Sequence, residues 1–384
     1  MSRVRLFGTL CGLVFLVNFA RIIFAPLVGE FMDVFSVREG TIGLVVTLTW
    51  VGSASPRLPT GYLLTKVPRH YVVLGAGTVL TAASFFIATA ATVPALMAGA
   101  FTMGLASGAY FVSANPLISE LFPERVGRVI GVHGMASQFA AVLAAPIVSV
   151  AVVYDWRLVF YGTGIAAATI TLLIFLAARR TDLPDAGTKD RDFFGAARRE
   201  WRIIVTGVVM LGTVGFVWQG MFNFYEQYML AKGLPESVAR NLLTVLFAAG
   251  VPAFLVSGRL ADRLPHVPYI LGVIAAFLVS VFALTMTSGL FVVIAVSAVL
   301  GFVIHSLFPA MDTYLLDTLP DASRASAYAF YSASMMLAQA GGASVVGALV
   351  ERGFTYDAVF GVFLSGLLVV VIVLAALESA GRLP

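Results

Sequence analysis

The sequence predicts an all-α integral membrane protein: twelve transmembrane helices in two pseudosymmetric six-helix bundles. Three observations carry this. The 384 residues are 60% hydrophobic and only 11% charged, whereas a soluble domain carries about a quarter charged residues. Apolar stretches of roughly 20 residues, enough to cross about 30 Å of hydrocarbon, recur along the chain. The second half also repeats landmarks of the first at a near-constant offset.

The first six spans fall at about 6–28, 42–65, 71–91, 94–119, 129–152 and 158–178. The second six fall at about 203–230, 240–262, 268–287, 289–311, 325–350 and 356–378. One long polar segment, within 177–202, separates the sets. The expected organisation is therefore a bundle over 1–178, a cytoplasmic linker over 179–202 and a bundle over 203–384. The opening "MSRVR" and its apolar run resemble a signal peptide. The run continues to about Val28 without a small-residue cleavage site, so a retained first helix is expected.

The repeat is visible in the loops. "GYLLTKVPRH" starts at Gly61 and "GRLADRLPHV" at Gly258, 197 residues later, each after the second span of its half. Pro123 and Pro320 keep the same offset, and "DWRLVFYGTG" and "TYDAVFGVF" match at 200. Two six-helix units related by duplication are a transporter pattern, because a site between them can be exposed to either side in turn.

Charge distribution sets the orientation. With the N-terminus inside, the inner segments hold seventeen Lys and Arg and the outer loops five, Arg240 among the five. Excess cytoplasmic charge is the rule, so both termini are expected in the cytoplasm of a cell whose plasma membrane holds the protein. The basic residues follow this topology instead of pooling in one patch, which argues against nucleic acid as a partner. Four histidines and the single Cys11 leave little for a metal site or a disulfide, and no cofactor is expected. HExxH, GxSxG and paired intramembrane aspartates are absent, so an enzyme is not expected, and without a GxxxxGK[ST] loop the energy must come from solute or ion gradients.

Ionisable residues within spans cost a few kcal/mol and normally face a cavity or a partner. Asn18 and Arg21 share a face of the first span, and Trp50, Ser53 and Arg57 form a stripe on the second. Arg57 is too deep for easy snorkelling, although pairing with backbone carbonyls would be a purely structural role. Gln219, Asn223 and Glu226 share a face of the seventh span, beside Trp218, Tyr225 and Tyr228. Arg21 has Glu226 as one conceivable partner. His305 lies in the tenth span with Asp312 seven residues on, and Asn115 is the repeat-equivalent of Asp312. A lone histidine on an apolar helix is more often packed than catalytic, and Asp312 fits a loop network with Asp317 and Arg324.

These residues resemble the major facilitator superfamily of secondary transporters, whose loop after helix two carries glycine, three residues, aspartate, a basic residue, two residues and further basic residues. The second copy keeps Gly258, Asp262 and Arg263; the first keeps Gly61, Lys66 and Arg69 but has Thr65 where the acid belongs. The resemblance implies gating roles for these six residues, a cavity lined by spans one, four, seven and ten, and a monomer in the bilayer. "RLPTG" resembles the helix-two arginine segment of anion carriers, including nitrate and nitrite carriers, but the offset of 197 places Phe254 where their second arginine belongs, which disfavours nitrate. The fourth span has no arginine and Ala145 precedes Pro146, which weakens a multidrug reading.

The expected function is secondary active transport of a small anionic solute such as a carboxylate, coupled to protons or another ion. Arg57, Arg21, Asn18, Trp50, Asn115, Gln219, Asn223 and Tyr225 are the expected substrate contacts, and Glu226 or His305 the proton carrier. The alternatives are an exporter of amphipathic compounds, with Arg21 and Glu226 neutralising one another, and a non-transporting sensor.

Overall fold

A bilayer offers the backbone no hydrogen bonds, so a chain of this hydropathy must satisfy them within helices. The computed structural model describes residues 2–181, 183, 192–320 and 323–384, and among these no strand occurs. The helices are α1 (Ser2–Ile22), α2 (Val28–Phe35), α3 (Glu39–Ala54), α4 (Arg57–Leu63), α5 (Arg69–Ala88), α6 (Val93–Leu121), α7 (Val126–Ala151) and α8 (Arg157–Ala178). After them come α9 (Phe193–Arg199), α10 (Trp201–Gly207), α11 (Thr213–Asn223), α12 (Tyr225–Ala231), α13 (Glu236–Ala261) and α14 (His266–Met286). The last are α15 (Leu290–Thr318), α16 (Arg324–Ala340), α17 (Gly342–Glu351) and α18 (Tyr356–Ser379). Of the expected linker, residues 182 and 184–191 lie outside the described residues.

Local chemistry sets the boundaries. Pro68 and Pro265, 197 residues apart, hold extended N-cap conformations before α5 and α14, where a missing N–H costs nothing. Thr92 caps α6 by accepting from the Ala95 amide at 3.4 Å, and Thr355 caps α18 through the Ala358 amide at 3.2 Å.

Eleven stretches of helix among the described residues are long and apolar enough to cross a membrane. The expected span 42–65 is the exception, because it divides into α3, of 16 residues, and α4, of 7. Pro56 and Pro59 lie three residues apart and each removes a helical hydrogen bond, so the helix stops at Ala54 and restarts at Arg57. The seventh span is also interrupted, by a π-helical turn at Val208–Gly212 and a break at Phe224.

The chain forms two compact units, Met1–Ser36 with Val45–Arg191, and Val37–Leu44 with Asp192–Pro384. In the first, α1 packs on α6, α7 and α8, α5 packs on α6 and α8, and α4 packs on α6. In the second, α11 packs on α16, α17 and α18, α14 on α15 and α18, and α13 on α15 and α12. Within this second unit the Gly40 amide donates to Glu351 Oε2 at 3.1 Å.

One contact recurs at the repeat offset. A Cβ on Gly104 of α6 would strike the Thr49 carbonyl of α3, and a Cβ on Gly301 of α15 would strike the Leu246 carbonyl of α13. Gly104 and Gly301 are 197 apart, and so are Thr49 and Leu246. Small residues that let backbones touch are how helices associate where lipid supplies no hydrophobic drive.

Candidate functional site

In the first unit the close approach of α3 and α6 brings three of the expected residues round a fourth. Arg21, 8% exposed on α1, lies between the rings of Trp50 and Phe111, its guanidinium carbon 4.9 Å from each centroid. Its Nη2 donates to Asn18 Oδ1 at 2.5 Å and its Nη1 to Ser53 Oγ at 3.5 Å. Asn18 is itself fixed by donating to the Ser137 carbonyl of α7 at 2.7 Å. Arg21 Nε has no hydrogen-bond partner among the described residues. The like charge of Arg57, which the α3–α4 break sets half-buried at the head of α4, reaches Arg21.

Asn115 is an expected contact that this cluster does not include; its side chain is exposed on α6. Its repeat-equivalent Asp312 accepts from the Tyr328 hydroxyl at 2.7 Å, while Asp317 binds His266 at 3.2 Å. Of the expected loop network of Asp312 with Asp317 and Arg324, these contacts give each of the two acids a partner of its own.

In the second unit, Gln219, Asn223, Tyr225 and Glu226 are all buried. The Asn223 amide donates to Gln219 Oε1 at 3.0 Å, leaving Asn223 Oδ1 without a partner. Tyr225 and Ser297 share a hydrogen bond between hydroxyls. Glu226, 2% exposed, accepts from Arg240 Nε at 3.0 and 3.2 Å, and Arg240 Nη2 also binds Glu236 Oε1 at 2.6 Å. This corrects one expectation, since Arg240 is a buried residue of α13 and not a loop charge, and it gives Glu226 an ion-pair partner within its own unit. The i,i+4 spacing of Glu236 and Arg240 was the available signal, but nothing local ties Arg240 to Glu226.

His305 sits in an aromatic shell, with ring centroids of Phe247, Trp218, Phe254 and Phe308 at 5.6, 5.8, 6.1 and 6.2 Å. Its Nδ1 is 2.7 Å from the Gly301 carbonyl. Phe247, Phe254 and Phe308 are the repeat-equivalents of Trp50, Arg57 and Phe111. The positions that build a cationic cluster in one unit build an apolar one in the other.

The expected gating residues take separate roles. Gly61 is buried in α4, and Lys66 lies over the Tyr62 ring at 4.6 Å. Arg69, nearly buried, binds Glu120 at the end of α6 at 2.8 Å, so α6 supplies an acid that the loop lacks at Thr65. Asp262 follows α13, where both it and Arg263 are exposed, and the Gly258 side of that helix is open. Among the described residues no group of His, Cys, Asp and Glu could hold a metal ion.

Comparison with known proteins follows the same lines. A protein of Staphylococcus aureus (strain JH9) described as "Probable nitrate transporter NarT" is 30% identical over 155 residues, 40% of this chain and 40% of that protein. The match thus spans well under half the length of this relative. Among solved structures, a bacterial homolog to the human lysosomal transporter Spinster, inward-facing and unoccupied, superposes with a TM-score of 0.74 at 16% identity, covering 98% of this chain and 94% of the other. The nucleoside transporter NupG superposes with a TM-score of 0.79 at 15% identity, over 98% and 99%. At such identities the likeness is one of fold. The Major Facilitator Superfamily matches residues 10–282 and again 228–382, together nearly all of the chain, and the chain belongs to that superfamily of membrane transporters.

Proposed function

We propose that the protein is a secondary active transporter for a small planar anion, a carboxylate first, which it binds at Arg21 and Arg57. The observation that supports this reading is the Arg21 cluster. A buried guanidinium held between two rings, with an unsatisfied Nε and a second positive charge in reach, is stabilised when an anion enters. Guanidinium presents a planar fork that matches the two oxygens of a carboxylate. Asn18 and Ser53 fix the fork, so the bound solute meets a preset geometry. For coupling, Glu226 is the proposed proton carrier, because its protonation would release Arg240 from a buried ion pair and so link proton uptake to a rearrangement of α12 on α13. His305 has the surroundings of a packed residue and ranks second.

Nitrate is the second reading. It is planar and anionic, and the Staphylococcus aureus relative bears that description. Purified protein in proteoliposomes, given a panel of small carboxylates and nitrate under an imposed pH gradient, tests both. Uptake of one anion by the native chain and its loss in Arg57→Ala and Arg21→Ala is the expected result. Equal uptake by native and variant chains removes the arginines from the site. Uptake indifferent to the pH gradient removes Glu226 from coupling, and resistance of expressing cells to cationic dyes would favour the exporter.

A further inference from the structure

A second basic feature lies away from the Arg21 cluster. Where the start of α1 meets the end of α8, a groove of about 500 Å³ opens between the two helices. Leu173, Leu176 and Ala177 of α8 and Gly8 and Thr9 of α1 line it, together with Arg5 from the first helix and Arg180 just past the second. Both arginines are exposed, and among the described residues neither forms an ion pair. No acid lines the groove. Both helices are long and apolar enough to cross a membrane, and the two arginines lie at their ends, the level at which headgroups meet the hydrocarbon.

We propose that this groove binds one anionic phospholipid of the surrounding bilayer, with the phosphate between Arg5 and Arg180 and an acyl chain along Leu173, Leu176 and Ala177. The combination selects the occupant. An apolar trough with no charge would take any lipid tail, and two arginines on a polar surface would take any anion. Together they fit an amphiphile with a negative head, the chemistry of basic pockets between transmembrane helices. Neighbouring Arg179 lies over the Phe175 ring at 5.6 Å and is occupied there, and Arg3 is not part of the groove. Gly8 matters because a Cβ there meets nothing within 4 Å, so beside it is open space a lipid chain can use.

The test is native mass spectrometry of the full-length protein in detergent, titrated with phosphatidylglycerol and, separately, phosphatidylcholine. The native chain should retain one phosphatidylglycerol in preference to phosphatidylcholine. Removing the charges, as Arg5→Gln with Arg180→Gln, should weaken that binding by roughly fivefold for each arginine. Gly8→Phe keeps both charges, fills that space and should abolish retention. Arg3→Gln with Arg179→Gln should bind like the native chain. Undiminished binding in the groove variants, or an equal loss in the Arg3 and Arg179 control, overturns the proposal, as does displacement of the lipid by soluble glycerol phosphate at equal concentration. Thermal unfolding of each variant separates a lost site from a lost fold, and none of these readouts depends on which solute is transported.

Discussion

Arg240 is 6% exposed and shares its guanidinium between a buried carboxylate, Glu226, and an exposed one, Glu236. Removing one partner of a buried pair strands the other charge, at a cost of about 3–5 kcal/mol. Arg240→Ala should therefore lower the unfolding midpoint of the detergent-solubilised protein strongly, whereas Glu226→Gln combined with Arg240→Gln should recover most of the loss. A double variant no more stable than the single one would mean that the pair is not what holds α12 to α13. Arg21 poses the complementary case. Arg21→Lys keeps the charge but gives up the flat face between Trp50 and Phe111, worth about 1–2 kcal/mol when desolvated. Uptake should fall by roughly tenfold with unfolding little changed. Neither outcome is written in local sequence. Periodicity put Asn18 and Arg21 on one face, and the structure agrees, but the rings that flank the guanidinium come from α3 and α6, and only packing brings them there.

Among the elements, the broken second span does most to aim a side chain. Gly108 on α6 faces the bend: a Cβ there would strike the Ser53 carbonyl and come within 2.6 Å of Pro56 Cγ. Gly108→Val should therefore push α3 from α6 at the very point where Ser53 and Arg57 are set, costing about 1–3 kcal/mol by overpacking. Gly75→Ala on α5, where the new Cβ meets nothing within 4 Å, should leave the unfolding midpoint unchanged or raise it slightly. Thermal unfolding of the two variants side by side checks the contrast; equal effects would refute the close approach. The helix starts at Arg69, Val93, His266 and Tyr356 fall within two residues of the 71, 94, 268 and 356 expected from the apolar runs, because each run begins beside a local cap. The break at Pro56 was not legible, because Pro252, one residue short of the repeat offset, sits within an unbroken α13. A proline permits a break; two of them three residues apart, the first packed against Gly108 of α6, impose it.

At the scale of the molecule, the duplication read in two loops reappears as a backbone contact, Thr49 against Gly104 and Leu246 against Gly301. The offset of 197 therefore describes packing as well as sequence, and this is why the helical architecture was legible while the identity of the solute was not. The same offset pairs Arg57 with Phe254, so the two halves share a frame and differ in chemistry. That frame requires α3 and α4 together to count as one crossing, although neither alone is long enough to span about 30 Å. If they cross, five crossings separate the start of α1 from the turn after α7, and those two points face opposite sides; if they do not, the number is four and they face the same side. In a Cys11→Ser background, Val4→Cys and Tyr154→Cys place single thiols at well-exposed positions on each side of that count, 65% and 80% exposed. A membrane-impermeant thiol reagent added to intact cells should label Tyr154→Cys at once and Val4→Cys only after permeabilisation, the polarity that the excess of inner Lys and Arg demands. Labelling of both from the same side would reduce the spans to eleven, place the two termini on opposite faces of the membrane and undo the two-bundle arrangement at its second helix.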